Sequence, residues 1–202
     1  MNCKAIIGNV FCSIEGEGRH VGRPTLFIHV ADGQFKRDAE YVFEMVDPHI
    51  HECLVLDTCE GIYMDWRGFA LKVFERLWDV GPELILETRG ETDLTPFFSH
   101  RHLMIYINYT EGWTKRENLK CLRPHDQIKF LFYDWDEYLQ VLEQAADVRN
   151  VTRCPIYLMP RGIEGEVRRE VFSHFLENRI RRSARYNGLR MMLIEHEEVG
   201  IL

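Results

Sequence analysis

The sequence predicts an α/β fold, a mainly parallel sheet with helices packed across it, in a single domain spanning residues 1–202. Three observations carry this. Short apolar, β-rich runs alternate with longer amphipathic segments along most of the chain. The helical segments end at recognisable stops such as Gly81-Pro82 and Asn187-Gly188. With 46% hydrophobic and 28% charged residues, a chain of 202 can bury one sizeable core.

Residues 4–11 form the first apolar run and read as a strand. Residues 13–24 are a glycine-rich loop with Gly16, Gly18 and Gly22. Residues 25–30 (Thr-Leu-Phe-Ile-His-Val) read as a strand between Pro24 and Asp32-Gly33. In 36–46, Ala39, Val42, Phe43 and Val46 repeat at helical spacing before Asp47-Pro48. Residues 53–57 are a short buried strand. In 66–80, Phe69, Val73, Leu77 and Val80 share one helical face. Strands are expected over 83–88, 103–109, 127–133, 154–159 and 189–194, and helices over 135–147 and 164–186. The stretch 111–126 is polar and reads as irregular with a short helix.

Ligands of such sheets bind at the carboxyl ends of the strands. That directs attention to the loops 12–22, 29–35, 58–64, 88–92 and 108–113, and to the segments after Met159 and Ile194.

Charge and composition narrow the function classes. The net charge of −7 argues against a nucleic-acid partner, which calls for a strong positive field. No apolar run approaches the roughly 18 residues of a membrane helix, and Met1-Asn2-Cys3-Lys4 opens no secretory signal, so no membrane partner and a cytoplasmic location are expected. The arginines of 168–169 and 179–185 read first as a solvated helix face. Cys3, Cys12, Cys53, Cys59, Cys121 and Cys154 show no repeated spacing and no C-x-x-C, which reads as reduced thiols in a cytosolic chain.

Glu15-Gly16-Glu17-Gly18 follows the first strand directly. Glycines flanking Glu17 let the backbone approach a flat ligand, and carboxylates accept paired N–H donors from a heterocycle. The same carboxylates repel phosphate. Thr58-Cys59-Glu60-Gly61 and Glu87-Thr88-Arg89-Gly90 occupy corresponding places after later strands.

Phe11-Cys12-Ser13-Ile14-Glu15-Gly16-Glu17-Gly18, then Gly22-Arg23-Pro24 and Phe27-Ile28-His29, resembles the opening of the 7-carboxy-7-deazaguanine synthases, a family of the radical S-adenosylmethionine superfamily. Asp57-Thr58-Cys59-Glu60-Gly61 is similar to that family's T-G-G-E-P, and Glu87-Thr88-Arg89-Gly90 to its E-T-N-G. Ile128-Lys129-Phe130 is similar to its L-K-F, and Arg190 to His196 to its last strand. The resemblance implies a partial (β/α)6-type barrel, a homodimer, and a pocket for a pterin- or purine-like heterocycle. Carried over position by position, it implies ligand contacts at Glu15, Gly16, Glu17, Gly18, His29, Glu60, Glu87, Thr88 and His196.

The departures concern the chemistry. The family holds a 4Fe–4S cluster on three closely spaced cysteines, and the cluster cleaves S-adenosylmethionine. Here Gly33 stands at the first cysteine's position, and 36–52 contains no cysteine. Cys53 and Cys59 flank one short strand, roughly 20 Å apart at about 3.3 Å per residue. No cluster is therefore expected, no catalytic residue is assigned, and S-adenosylmethionine is retained only as a candidate ligand. The reading is a degenerate, cluster-less member that binds a heterocycle or a partner. The alternatives are an enzyme of the 7-deazaguanine (queuosine-type) nucleoside pathway acting on a 6-carboxytetrahydropterin-like substrate by other chemistry, and a homodimeric scaffold with a vestigial pocket. Trp113, Tyr133 and Trp135 are the exposed aromatics expected at such an interface.

Overall fold

The nine strands lie in one open sheet, ordered β3-β1-β2-β4-β5-β6-β7-β8-β9. A computed structural model describes residues 4–30, 36–59, 66–79, 81–163, 165–181, 186 and 188–192. The strands are β1 (Lys4–Ile14), β2 (Pro24–Val30), β3 (Lys36–Asp38), β4 (Cys53–Asp57), β5 (Glu83–Thr88), β6 (Leu103–Asn108), β7 (Gln127–Phe132), β8 (Ile156–Pro160) and β9 (Leu189–Met191). The helices are α1 (Ala39–Met45), α2 (Arg67–Leu77), α3 (Arg116–Cys121), α4 (Trp135–Arg149) and α5 (Gly165–Arg181). From β2 through β9 every neighbouring pair is parallel. The sheet does not close on itself, so the α/β expectation holds in its partial-barrel form.

Three local expectations differ. β1 runs on to Ile14 because Cys12, Ser13 and Ile14 pair with Leu26, Thr25 and Pro24 of β2. β1 is also antiparallel to its neighbours, so its carboxyl end lies at the amino edge of the parallel strands. The helix expected over 36–46 begins at Ala39, since Lys36, Arg37 and Asp38 pair with the start of β1 as an edge strand.

Side-chain alternation splits the sheet into two faces. Leu26, Ile28, Leu54, Leu56, Leu86, Ile105, Ile107, Phe130 and Leu158 join the core beneath the helices. Each fully buried Leu or Ile there contributes roughly 1.5–3 kcal/mol of transfer free energy. Phe69, Val73 and Leu77 of α2 and Tyr138, Leu142, Ala145 and Ala146 of α4 close that core from the helix side. Asp134 caps α4, its carboxylate accepting from Glu137 N at 2.8 Å. Trp135 is not an exposed aromatic: it packs against this core beside Tyr138 and His174. Trp113 and Tyr133 are exposed, as expected. No described helix is long and apolar enough to cross a membrane.

The alternate residues face the other way, the inner face. Cys53, Val55, Ile85, Met104 and Tyr106 form a small apolar patch there, with Phe27 against it. Towards the carboxyl ends the same rows become polar: His29 pairs in register with Asp57, Asp57 with Glu87, and Asn108 with Lys129.

Candidate functional site

After Ile14 the chain turns inward, fixed by Glu15 N donating to Arg23 O at 2.9 Å and Gly22 N to Glu15 O at 2.8 Å. Residues 15–20 then cross the inner face. Arg19 N donates to Gln127 Oε1 (3.3 Å), and His20 Nε2 meets Glu83 Oε2 (2.6 Å) while Nδ1 meets the Tyr106 hydroxyl. Gly18 makes this path, with a φ of +71° that favours glycine. A Cβ at Gly18 would also lie 2.6 Å from Gln127 Oε1.

The segment floors a cavity of about 390 Å³ whose walls are the carboxyl ends of the strands. Glu15, Gly16 and Glu17 line it from below, and His29, Asp57, Glu87, Asn108 and Arg161 from the strand ends. Phe11 and Phe27, stacked with centroids 5.1 Å apart, add an apolar wall, and His29 meets Phe11 edge-on.

One buried cation organises the carboxylates. Lys129, 1% exposed, donates to Glu17 Oε2 at 2.8 Å and to Glu87 Oε1 at 2.9 Å. Arg161 Nη2 donates to Glu17 Oε1 at 2.7 Å. Asn108 Nδ2 donates to Glu87 Oε1 at 2.8 Å and to Cys59 Sγ at 3.2 Å. Burial alone would lower the Lys129 pKa, but Glu17, Glu87 and Glu15 outweigh it and hold the ammonium well above its ordinary value.

Glu15 is the outlier. It is 3% exposed, and burial pushes its pKa up to about 7, against the pull of Lys129 and with help from Glu87 and Glu17. Its Oε1 accepts from Glu17 N at 3.0 Å. Its Oε2 has no hydrogen-bond partner among the described residues, and neither do the buried Asn108 Oδ1 and Arg161 Nε. Three residues that line the cavity thus each carry one buried polar atom without a hydrogen-bond partner among the described residues.

Of the residues expected from sequence, Glu15, Gly16, Glu17, His29 and Glu87 line this one cavity. Gly18 lies beside it, its N donating to Met192 Sδ at 2.8 Å. Thr88 lies away from it: it is buried in the next register position, facing the helices, and its hydroxyl accepts from Gly90 N. Glu60 and His196 lie outside the described residues, as does Gly33. Sequence reasoning missed Asp57, Asn108, Lys129 and Arg161. Lys129 had a signal, because it stands alone in the otherwise apolar run Ile128–Phe132, on the alternation that faces inward.

The five described cysteines do not fit an iron–sulfur cluster, which needs convergent thiolates. Cys12 pairs across from Leu26, near the amino edge, and its sulfur meets His51 Nε2 at 3.1 Å. The loop expected over 12–22 at the carboxyl ends of the strands therefore begins at the opposite edge, because β1 runs antiparallel. Cys53 opens β4 and Cys59 follows its end. Cys121 is exposed at the end of α3, and Cys154 is buried in the helix-side core. Burial, with Asp57 and Glu87 nearby, keeps the Cys59 thiol well above the ordinary range.

No protein-family model and no curated protein sequence matches the chain. Among solved structures, the crystal structure of QueE from Escherichia coli superposes with a TM-score of 0.65, covering 94% of this chain and 93% of that one at 14% identity. The likeness is one of fold.

Proposed function

We propose that this chain is a divergent relative of the 7-carboxy-7-deazaguanine synthases that binds a planar purine- or pterin-like heterocycle in the cavity above Glu15–Glu17, without an iron–sulfur cluster. The QueE-like fold supports the family reading, as do the ordered motifs from Phe11 to His29. The observation that carries the ligand class is the set of unpaired buried atoms. Glu15 Oε2 and Asn108 Oδ1 ask for N–H donors, and Arg161 Nε asks for an acceptor. A lactam next to a 2-amino group offers one carbonyl oxygen and adjacent N–H donors, which matches that count. Each buried polar atom left unpaired costs about 1–3 kcal/mol, so such a ligand recovers several kcal/mol on binding. The Phe11–Phe27 pair gives a planar ring an apolar surface to lie against.

Thermal-shift measurements against pterins, 7-deazaguanines and S-adenosylmethionine test this reading. Stabilisation by the first two classes, lost in Glu17→Ala, is expected; flat melting curves across the panel would contradict it. Anaerobic iron–sulfide reconstitution tests the second half. Iron well below four per chain is expected, and about four per chain with cluster absorbance would refute it.

A second reading rests on Glu15. A carboxyl whose pKa lies near 7 can both give and take a proton at neutral pH, so the cavity has a general acid–base group if it acts on its ligand. The activity would then be proton transfer on a modified-nucleoside precursor. Turnover that vanishes in Glu15→Gln while ligand affinity persists distinguishes it from binding alone.

A further inference from the structure

A second cavity, of about 450 Å³, opens at the opposite, amino-terminal edge of the sheet, where β5 and β6 begin. The segment 15–20 separates it from the first: His20 and Arg19 line the second cavity, Glu15 and Glu17 the first. Its lining carries Arg19, Arg23 and Arg101 together with His102 and His125. Glu83 is its one carboxylate, already held by Arg23 Nη1 at 3.0 Å and His20 Nε2 at 2.6 Å. Arg19 and Arg101 have no carboxylate partner among the described residues. In a chain of net charge −7, this is a local excess of positive charge.

Two ligand classes compete for such a place. His20, Cys53 and Glu83 bring a nitrogen, a sulfur and an oxygen within 4.8 Å of one another, a set that could hold a metal ion. Arg23, however, is ion-paired with Glu83 at 3.0 Å, so a guanidinium already sits against the one carboxylate of the three. Burial also pushes the Cys53 thiol up to about 11, so the sulfur adds no negative charge to the cleft. The field works the same way on the histidines. His20 and His125 are held below the ordinary range by burial, with Arg19 adding to it in both cases. An anion relieves this crowding; a cation worsens it.

The remaining wall identifies what the anion is attached to. Trp78 is 56% exposed and lies 6.0 Å from His102, and the two also line an adjoining cavity of about 250 Å³. An exposed indole beside an arginine-rich hollow suits a flat ring.

We propose that this amino-edge cleft binds a phosphate monoester that also bears a planar ring, a nucleotide-class ligand, with Arg19 and Arg101 meeting the phosphate and Trp78 the ring. The cleft shares no lining residue with the carboxyl-edge cavity, so either can fail without the other.

Isothermal titration of the full chain with adenosine 5′-monophosphate, adenosine and inorganic phosphate, at about 0.1 M salt, tests it. The monophosphate is expected to bind more tightly than either fragment. Arg19→Glu with Arg101→Glu, both at exposed positions, should weaken it at least about tenfold while circular dichroism and melting stay unchanged. Trp78→Ala should weaken the monophosphate and leave inorganic phosphate unaffected. No heat with the monophosphate at millimolar concentration, undiminished binding in the double arginine variant, or phosphate binding as tightly as the monophosphate would each overturn the assignment.

Discussion

Glu15 and Lys129 sit in the same network with opposite consequences. Lys129 is stable as a buried cation only because Glu17 and Glu87 flank it at 2.8 and 2.9 Å. Lys129→Met leaves Glu87 buried without its ammonium partner while Glu17 keeps Arg161, and should cost about 3–5 kcal/mol of unfolding free energy in urea titrations. A loss under 1 kcal/mol would show that the pair is not the anchor described. Glu15 has a folded pKa of about 7 against an ordinary value of 4.5, so its neutral form favours the folded state. That contribution is complete below pH 4.5 and is lost as pH rises through 7. The stability of wild type relative to Glu15→Gln should therefore fall by on the order of 3 kcal/mol between pH 4.5 and pH 8, and a pH-independent difference would contradict the burial argument.

At the scale of elements, the floor segment depends on one residue. Gly18 has positive φ, and a Cβ there meets a Gln127 side chain that is itself buried. Gly18→Ala should destabilise by roughly 1–3 kcal/mol by denaturation, and adding Gln127→Ala should recover only the steric part. Most elements were legible in the sequence because β4 to β8 are apolar runs of strand length between turn residues, and α2 and α4 keep their helical spacing. What was not legible depended on pairing partners. Nothing local marks Lys36-Arg37-Asp38 as a strand; it exists because Lys4, Ala5 and Ile6 offer it an edge. The reversed direction of β1 is likewise a tertiary fact, and it moves the loop 15–20 from the rim of the sheet to the floor of the cavity. Glu15 and Glu17 were legible from the loop that carries them, and Glu87 from its place at the end of a strand. Asn108 and Asp57 were not, because their roles arise from register: alternate positions on neighbouring strands converge only once the sheet is ordered, and Arg161 joins them just past the end of β8.

Across the whole molecule, the inner face is divided by the segment 15–20 into two compartments of different charge. The carboxyl-edge compartment gathers Glu15, Glu17, Asp57 and Glu87 around Lys129 and Arg161; the amino-edge compartment gathers arginines around Glu83. The two proposed ligands follow this division: a donor-rich neutral heterocycle is proposed for the first compartment and a phosphate for the second, in keeping with charge complementarity. Among the described residues, the cysteines are scattered between edge, core and surface.

The central claim is that the unpaired atoms of Glu15, Asn108 and Arg161 define a heterocycle site. A crystal structure determined with a bound pterin or 7-deazaguanine tests it most directly. A ring lying along Phe11 and Phe27, with its N–H edge within about 3 Å of Glu15 Oε2 and its carbonyl oxygen towards Arg161 Nε, is expected. A cavity left empty at saturating ligand, or a ring seated elsewhere with Glu15 Oε2 still unpaired, would contradict it.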